Sequence, residues 1–411
     1  MISAEEARNI ILSNSKELAS ETVSLVDAHD RVLAVDIHSQ DDIPPFKNSS
    51  MDGFAVRSED TVTATKTKPV GLRIQDEVAA GSPAGPVLLP SHAIRILTGA
   101  PLPAGADTVV PLEHVEERQG LILLSEKTAP GQSTREKGED IKKGELVLTK
   151  GTSIKAAHLG VLASTGNARV EVYRKPRMAI LTTGNELVSV EENLADGKIR
   201  NSNAYSLIAL GRECNCEPIN LGVARDNEQE LLQKVHSGLQ YDLLVTSGGV
   251  SAGKYDFVLE SVKKAGVSLK FWKVNIKPGM PLAFGVYTDD SRNVPVFCLP
   301  GNPVSTVVTF LEYVRPAIEK MMSRPDHATR IGLKAMLEEA LTKRDGKRHY
   351  QRGIVRNKGG ALFVRSTGNQ SSGVLSSLVK ANCLIILDEG RSTFEEGKEV
   401  DIQLLPWANV R

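Results

Sequence analysis

The chain has 411 residues, of which 41% are hydrophobic and 24% charged, with 50 Lys plus Arg balancing 50 Asp plus Glu. That length calls for two to four domains with buried cores. Zero net charge excludes a globally basic nucleic-acid binder or an acidic solvating tail, and 4% aromatics leave little for base-stacking surfaces. No apolar run approaches the roughly 18 residues of a membrane span. The first ten residues, MISAEEARNI, lack the basic start and apolar stretch of a signal peptide. Four cysteines, Cys214, Cys216, Cys298 and Cys383, are too few for a disulfide scaffold in a chain this long. Cys214-Asn-Cys216 lacks the spacing of a zinc site and reads as a helix end. A cytoplasmic protein is expected, with no membrane and no nucleic-acid partner.

Ser3-Ala-Glu-Glu6 is a capping box, and Ala7, Ile10, Ile11 and Leu18 follow at helical spacing, which predicts a helix near 3–18. Residues 22–40 read as short extended pieces. Two prolines in Asp42-Ile-Pro-Pro-Phe46 exclude helix there. In Asn48–Val56, Asp52-Gly53 predicts a hairpin turn. From 54 to 150 the texture is β, with short runs at Val87–Leu89, Ile94–Leu97, Thr108–Pro111 and Leu121–Leu124 punctuated by Gly and Pro. Residues 155–172 turn helical and then extended.

After Lys175-Pro176, strands alternate with helices. Strands are expected at Met178–Thr182, Ile219–Val223, Leu243–Thr246, Leu269–Asn275, Leu282–Gly285 and Val296–Leu299. Helices are expected near 203–214, 227–238 and 255–265, with a long one at 304–321. This alternation means a mainly parallel sheet covered on both faces. Asp289–Asn293 reads as an exposed loop and Ser323–Asp326 as a linker. Beyond it, strands at Gly353–Val355, Leu362–Val364, Cys383–Leu387 and Val400–Leu404 predict a small β-barrel or sandwich.

Ligands of parallel α/β sheets bind at the carboxyl ends of the strands. Four strands end there in polar or glycine-rich turns: Thr182–Glu186, Arg225-Asp226, Ser247–Gly253 with Tyr255-Asp256, and Leu299–Ser305. Gly248, Gly249 and Gly253 would let backbone N–H groups approach an anion at a helix start. The pattern is neither a Walker loop nor a GxGxxG fingerprint. Glu186, Asp226 and Asp256 beside such a cradle suit Mg²⁺, which shares its coordination with phosphate and water. Alone, each acid reads as solvated and each Gly-rich piece as a turn. Lys263, Lys264, Lys270, Lys273 and Lys277 form an acid-free run, and Lys273 and Lys277 would share a strand face. A solvated strand face explains that run as well as an oxyanion or polyphosphate ligand does.

Taken together, these segments resemble the molybdopterin molybdenumtransferase family, bacterial MoeA and the gephyrin E domain. The likeness rests on Asp42–Phe46, Ser50–Val56, Arg95–Pro101, Arg135–Gly144, Thr183–Leu187, Ser247–Gly253, Phe271–Gly279, Leu299–Ser305, Gln351–Gly353 and Gly368–Gln370 in collinear order. The family implies a multidomain α/β plus β protein. Its parts are a MogA-like three-layer α/β domain with a mainly parallel sheet, an inserted small β domain, an elongated discontinuous N-terminal domain and a C-terminal β-barrel. The expected boundaries are 1–26 with 43–54 and 140–175 for the discontinuous domain and 27–42 with 55–139 for the small β domain. The α/β domain would span 176–325 and the barrel 326–411.

The implied reaction inserts molybdate into adenylylated molybdopterin, with Mg²⁺-dependent release of AMP, to give molybdenum cofactor. By likeness, Asp52, Thr98, Glu186, Asp226, Asp256, Lys273 and Lys277 are catalytic. Ser247, Gly248, Gly249, Ser251, Gly253, Pro300, Gly301, Asn302, Pro303, Ser305, Arg352 and Ser372 bind substrate, and Glu186 and Asp256 hold Mg²⁺. The resemblance further implies a homodimer, with Asp52 and Thr98 serving the partner's cleft. It also implies a molybdopterin adenylyltransferase and molybdoenzyme chaperones as partners. Met280 stands where many relatives carry Lys, leaving Arg352 and Lys277 as the oxyanion's cations. Two alternatives are a non-catalytic pterin- or nucleotide-binding scaffold and a molybdopterin adenylyltransferase.

Overall fold

The computed structural model describes residues 1–250, 257–290, 292–324 and 332–408. The first helix, Ala4–Ser13, is capped by Ser3 Oγ, which accepts the Glu6 N–H at 3.1 Å. It stops short of the expected residue 18. Ser13 and Asn14 donate their side chains to the Ile10 carbonyl and Ser15 donates to that of Ile11, competing with further helix at that end.

The chain then travels out and returns alongside itself. Ser20–Ser24 pairs with Arg169–Tyr173, Ile37–His38 with Leu146–Leu148, and Asn48–Ser49 with Thr134–Arg135, all antiparallel. These short ribbons make a discontinuous, elongated N-terminal domain. Residues 27–42 were expected with the small β domain. Instead Ala28, Leu33 and Ile37 pack with Ile154, Leu162, Val170 and Val172 in the ribbon region.

The inserted β domain is a six-stranded sheet in the order Thr108–Pro111, Gly53–Val56, His92–Ile96, Val70–Val78, Leu121–Leu124, Val115–Arg118. Apolar clusters cover both faces, Phe54, Val56, Leu72 and Ile122 on one and Ala55, Ile94, Ile96 and Val109 on the other. Val87–Leu89 forms no strand. The Gln75 side chain donates to the Val87 carbonyl at 2.9 Å and accepts the Leu89 N–H at 3.0 Å, standing where a partner strand would. The expected hairpin at Asp52-Gly53 is also absent, because Asn48–Ser49 and Gly53–Val56 pair with different strands.

The α/β domain has six strands: β1 (Arg177–Thr183), β2 (Glu217–Ala224), β3 (Leu243–Ser247), β4 (Ser268–Trp272), β5 (Ala283–Thr288) and β6 (Asn293–Leu299). Their order is β2-β1-β3-β6-β5-β4, with β2, β1, β3 and β6 parallel, β5 antiparallel to β6, and β4 antiparallel to β5. Both faces are covered, so the strands read as continuous apolar runs. Met178, Ile180, Leu243 and Val245 face one core, and Ala179, Leu181 and Leu244 face the other. Helices Ser202–Glu213 and Glu228–Gly238 follow β1 and β2, and Phe257–Lys264 precedes β4. The expected long helix after β6 is α-helical over Pro303–Thr309, π-helical over Phe310–Val314 and α-helical again over Arg315–Met321.

The last domain is a closed five-stranded barrel. Arg348–Lys358, Ala361–Ser366, Leu333–Leu337, Glu399–Leu404 and Cys383–Leu387 pair in that order, and Cys383–Leu387 pairs back to Arg348–Lys358. Val355, Val364, Ile385 and Ile402 fill it. Ile276–Lys277 leaves the α/β domain to pair parallel with the start of Arg348–Lys358. Lys273 and Lys277 therefore do not share a strand: β4 ends at Trp272, and Lys273 takes a positive φ of 73°.

Candidate active site

The carboxyl ends of β1, β2, β3 and β6 open into a cleft of about 540 Å³. It is lined by Thr183, Glu186, Asp226, Ser247–Val250 and Pro300–Pro303. Strand ends leave their last carbonyls and N–H groups unpaired by the ladder, so the turns that follow carry polar and glycine residues. Glu186 and Asp226 are both exposed there. Asn185 ties their loops together: its N–H lies 3.4 Å from Asp226 Oδ2, and its Oδ1 accepts the Asp226 N–H at 3.1 Å.

Ser247 is buried at the floor, and its Oγ accepts from Asn203 Nδ2 at 2.9 Å. The same amide donates to the Gly301 carbonyl at 2.8 Å, joining the β3 and β6 turns. Gly248 and Gly249 both have positive φ, and a Cβ on either would lie 2.5 Å from a neighbouring atom. Packing against Thr183 and Val258 therefore requires glycine at both positions, and Gly248 does not offer its N–H to a ligand, because that group donates to the Leu299 carbonyl at 3.1 Å. Among the described residues, the buried Thr183 hydroxyl has no hydrogen-bond partner and lines this cleft. Ser251, Gly253 and Asp256 lie outside the described residues.

Pro303 opens the helix after β6 at a position where its missing N–H costs nothing. The Val304 N–H already donates to the Ser372 carbonyl at 3.2 Å, and Asn302 Nδ2 donates to Ser372 Oγ at 2.9 Å. The barrel therefore closes this end of the cleft. Ser305 is buried one turn on.

A second cavity of about 600 Å³ lies at the junction of barrel and α/β domain, lined by Lys277, Lys343, Arg344, Asp345, His349 and Arg352 among others. Arg352 is 1% exposed and is held by neutral oxygens: Ser377 Oγ at 3.0 Å, the Ser371 carbonyl at 3.1 Å and the Asn369 carbonyl at 3.4 Å. Burial pulls its pKa down to about 10, so it stays charged at neutral pH. Lys277 is largely exposed, its Nζ 3.5 Å from Asp345 Oδ2. Lys347 Nζ comes 3.3 Å from Met280 Sδ, which places an ammonium beside that methionine.

The other expected residues lie apart. Lys273 sits with its Nζ 4.2 Å from the Trp272 ring centroid, and Trp272 Nε1 donates to the Val250 carbonyl at 3.4 Å. Lys264 pairs with Glu228 on the helix surface. Asp52 and Thr98 meet on the inserted β domain, where the Thr98 N–H and Oγ1 both donate to Asp52 Oδ1 at 2.7 Å. Those bonds hold the Asp52 carboxyl below its usual pKa. Neither residue lines the strand-end cleft. Sequence reasoning missed Thr183, Asn203, Asp345 and His349. Thr183 had a signal, lying in the polar turn Thr182–Glu186 that ends β1, and the structure adds Asn203 beside the Asn201 cap of the following helix.

A three-layer α/β domain with an acid-lined strand-end cleft, flanked by an inserted β domain and a closed barrel, defines a multidomain α/β protein whose ligand site lies at the carboxyl edge of its parallel strands. Residues 2–166 match the family described as MoeA N-terminal region (domain I and II), residues 179–320 that described as probable molybdopterin binding domain, and residues 334–405 that described as MoeA C-terminal region (domain IV). The chain is 37% identical to a molybdopterin molybdenumtransferase of Haemophilus influenzae, covering 98% of both chains. It is 35% identical to one from Nostoc, covering 99% of this chain and 94% of that one. A crystal structure of the molybdopterin biosynthesis MoeA protein from Pyrococcus horikoshii matches with a TM-score of 0.83 and 32% identity, covering 98% and 100% of the two chains. The chain belongs to the molybdopterin molybdenumtransferase family. Among the described residues, no helix is long and apolar enough to cross a membrane.

Proposed function

We propose that this protein inserts molybdate into adenylylated molybdopterin and releases AMP, completing molybdenum cofactor. The observation that carries this is the adjacency of two unlike sites. An acid-lined cleft built by close-approaching glycines is joined through the Asn302–Ser372 contact to the barrel, whose cation-lined cavity holds Lys277 and Arg352. The first suits a phosphate-linked substrate with Mg²⁺. The second suits a tetrahedral dianion, which needs cationic donors.

Glu186 and Asp226 offer hard carboxylate oxygens and Thr183 an unpartnered hydroxyl, a donor chemistry that fits Mg²⁺. Mg²⁺ shares most of its coordination with phosphate and water, so it needs few protein oxygens. When bound, Mg²⁺ would neutralise phosphate charge beside the departing AMP. Asp256 is proposed as a second ligand with Glu186. The turn at Gly248 and Gly249 borders the phosphate link, while Lys277 and Arg352 hold the oxyanion. Asp52 and Thr98 complete the cleft of a second copy in a homodimer. We further propose action in the cytoplasm, with a molybdopterin adenylyltransferase supplying the substrate and molybdoenzyme chaperones taking the product.

The test is turnover of purified protein with adenylylated molybdopterin, Mg²⁺ and molybdate, following AMP and cofactor together. Glu186→Gln is expected to lose AMP release while its circular dichroism is unchanged. Normal turnover by that variant would remove Glu186 from the mechanism. AMP release without cofactor formation would leave hydrolysis alone.

A further inference from the structure

We propose that His349 is a proton-coupled anion-binding residue: as a tetrahedral dianion enters the cavity, the imidazole takes up one proton and becomes a cation beside Lys277. This rests on the reading of that cavity as the oxyanion site.

The backbone places the two groups together. Ile276–Lys277 adds to the barrel in parallel register, with Lys277 directly opposite His349. Neighbouring strands run about 4.8 Å apart, so both side chains serve the same small volume. His349 is 8% exposed at its side chain, and its Nε2 lies 2.7 Å from Asp345 Oδ1. The other carboxylate oxygen, Oδ2, faces Lys277 Nζ at 3.5 Å. A carboxylate only accepts, so Nε2 carries a hydrogen and Nδ1 of the neutral ring is an acceptor. Protonation turns Nδ1 into a donor.

Charge balance gives the reason for a proton. Asp345 is the carboxylate among the lining residues of a cavity that must take a dianion. That carboxylate engages Lys277 through Oδ2 and so competes with the dianion for its charge. A proton on His349 neutralises it without moving the backbone. The charged groups around the ring are Asp345 from the preceding turn, Lys277 from the added strand, and Lys343, Arg344 and Arg352 from the barrel chain. Glu389 is engaged elsewhere, by Arg348 Nε at 3.2 Å. Burial first, and then repulsion by Lys277 and Lys343, hold the empty-site imidazole below its usual pKa despite Asp345. Without the dianion the ring is thereby biased toward its neutral form. The dianion favours the charged form, so the bound pKa lies above the free one. Affinity is then flat below the free pKa, falls with rising pH between the two, and flattens again above the bound pKa.

The experiment is calorimetric titration of the full chain with sodium molybdate, and with sodium tungstate as a second tetrahedral dianion. It is run in two buffers of different ionisation heat at about pH 6.5, 7.5 and 8.5, spanning the histidine range. Molybdate itself does not titrate over that range. The buffer difference counts protons taken up. The expected result is uptake approaching one proton per dianion, with affinity falling by up to about tenfold per pH unit. His349→Gln keeps a hydrogen-bonding group toward Asp345 but cannot titrate. It should abolish uptake and flatten the pH profile. Lys277→Ala should weaken binding yet keep the uptake, and that outcome ties the site to this cavity. If Lys277→Ala weakens binding but the native chain takes up no proton, or if His349→Gln takes up as many, the role of His349 is refuted and the oxyanion site stands. If neither substitution changes dianion binding, the cavity reading fails and the proposal with it.

Discussion

Gly248 has a φ of +102°, and a Cβ built on it would lie 2.5 Å from the Thr183 carbonyl oxygen. An L side chain there meets both an unfavourable backbone region and a backbone atom that cannot move aside. Gly248→Ala should cost roughly 1–3 kcal/mol of stability and displace the β1 turn that carries Glu186. A lowered denaturant midpoint with impaired AMP release would show it, and wild-type behaviour in both would mean that the turn relaxes freely. Asp345 gives a pH prediction. Burial acts to raise its pKa, but the His349 hydrogen bond and charge, the Lys347 N–H and Lys277 outweigh it and bring it down to about 2. A carboxylate depressed on folding stabilises above its ordinary value of 3.8, and that contribution fades as pH falls through about 2. Asp345→Asn should therefore be less stable than the native chain near neutral pH and converge with it in strong acid. A constant difference across an acid titration of the unfolding midpoint would contradict that sign. At this scale the sequence displays chemistry better than environment. Ser247-Gly-Gly249 announces a positive-φ turn by its composition. Nothing around Arg352 announces a guanidinium 1% exposed among carbonyls, because its partners Asn369, Ser371 and Ser377 arrive from a distant part of the barrel chain.

Elements were legible where one local rule decides them. Met178–Thr182 stands out as an apolar run because β1 is buried on both faces, and Ser3 at the first helix start is visible as a cap. Elements set by remote partners were not. Val87–Leu89 has the apolar content of a strand yet is held by the Gln75 side chain. The run from Lys270 to Lys277 looks like one strand but is divided at Lys273, since Ile276–Lys277 belongs to the barrel. The π-helical stretch at Phe310–Val314 leaves no sequence mark that we recognise. The junction between the ribbon domain and the α/β domain also depends on a remote pair. Arg174 donates to both oxygens of Asp242 at 2.6 Å, and the Arg177 N–H adds a bond at 2.8 Å. Asp242 is 9% exposed at its side chain, and Arg174 is 32% exposed. Burial would raise the Asp242 pKa, but the two arginines outweigh it. Asp242→Asn keeps the shape, loses the charge, and should destabilise by about 1.5–3 kcal/mol, the range of hydrogen bonds to charged groups. The loss should shrink in acid, because the native carboxylate's contribution is present above pH 3.8 and fades below it. Urea midpoints of both proteins at neutral and acid pH decide this.

At the scale of the whole molecule, the domain classes were readable from texture, and the order of the family-like segments was readable from the resemblance. The path of the chain was not: residues 27–42 return to the ribbon because Leu33 and Ile37 find Leu162 and Val172, more than a hundred residues away. The same separation matters for the site. Asp52 and Thr98 form a tight pair on the inserted β domain and take no part in lining the strand-end cleft of their own chain. Under the proposed homodimer, that pair completes the cleft of the second copy. Asp52→Ala and Glu186→Gln, each inactive alone, should then regain activity when mixed and allowed to exchange subunits. In a mixed dimer one cleft carries both lesions and the other carries neither. Random exchange makes about half the dimers mixed, so about a quarter of all clefts should turn over, given a two-fold symmetric dimer. The measurement is AMP release after co-refolding, with heterodimers counted by native mass spectrometry. Recovery near that fraction supports a cleft shared between protomers. Activity that stays at the level of the single variants, with heterodimers present, would place Asp52 and Glu186 in one protomer's site or reduce Asp52 to a turn residue that holds Thr98.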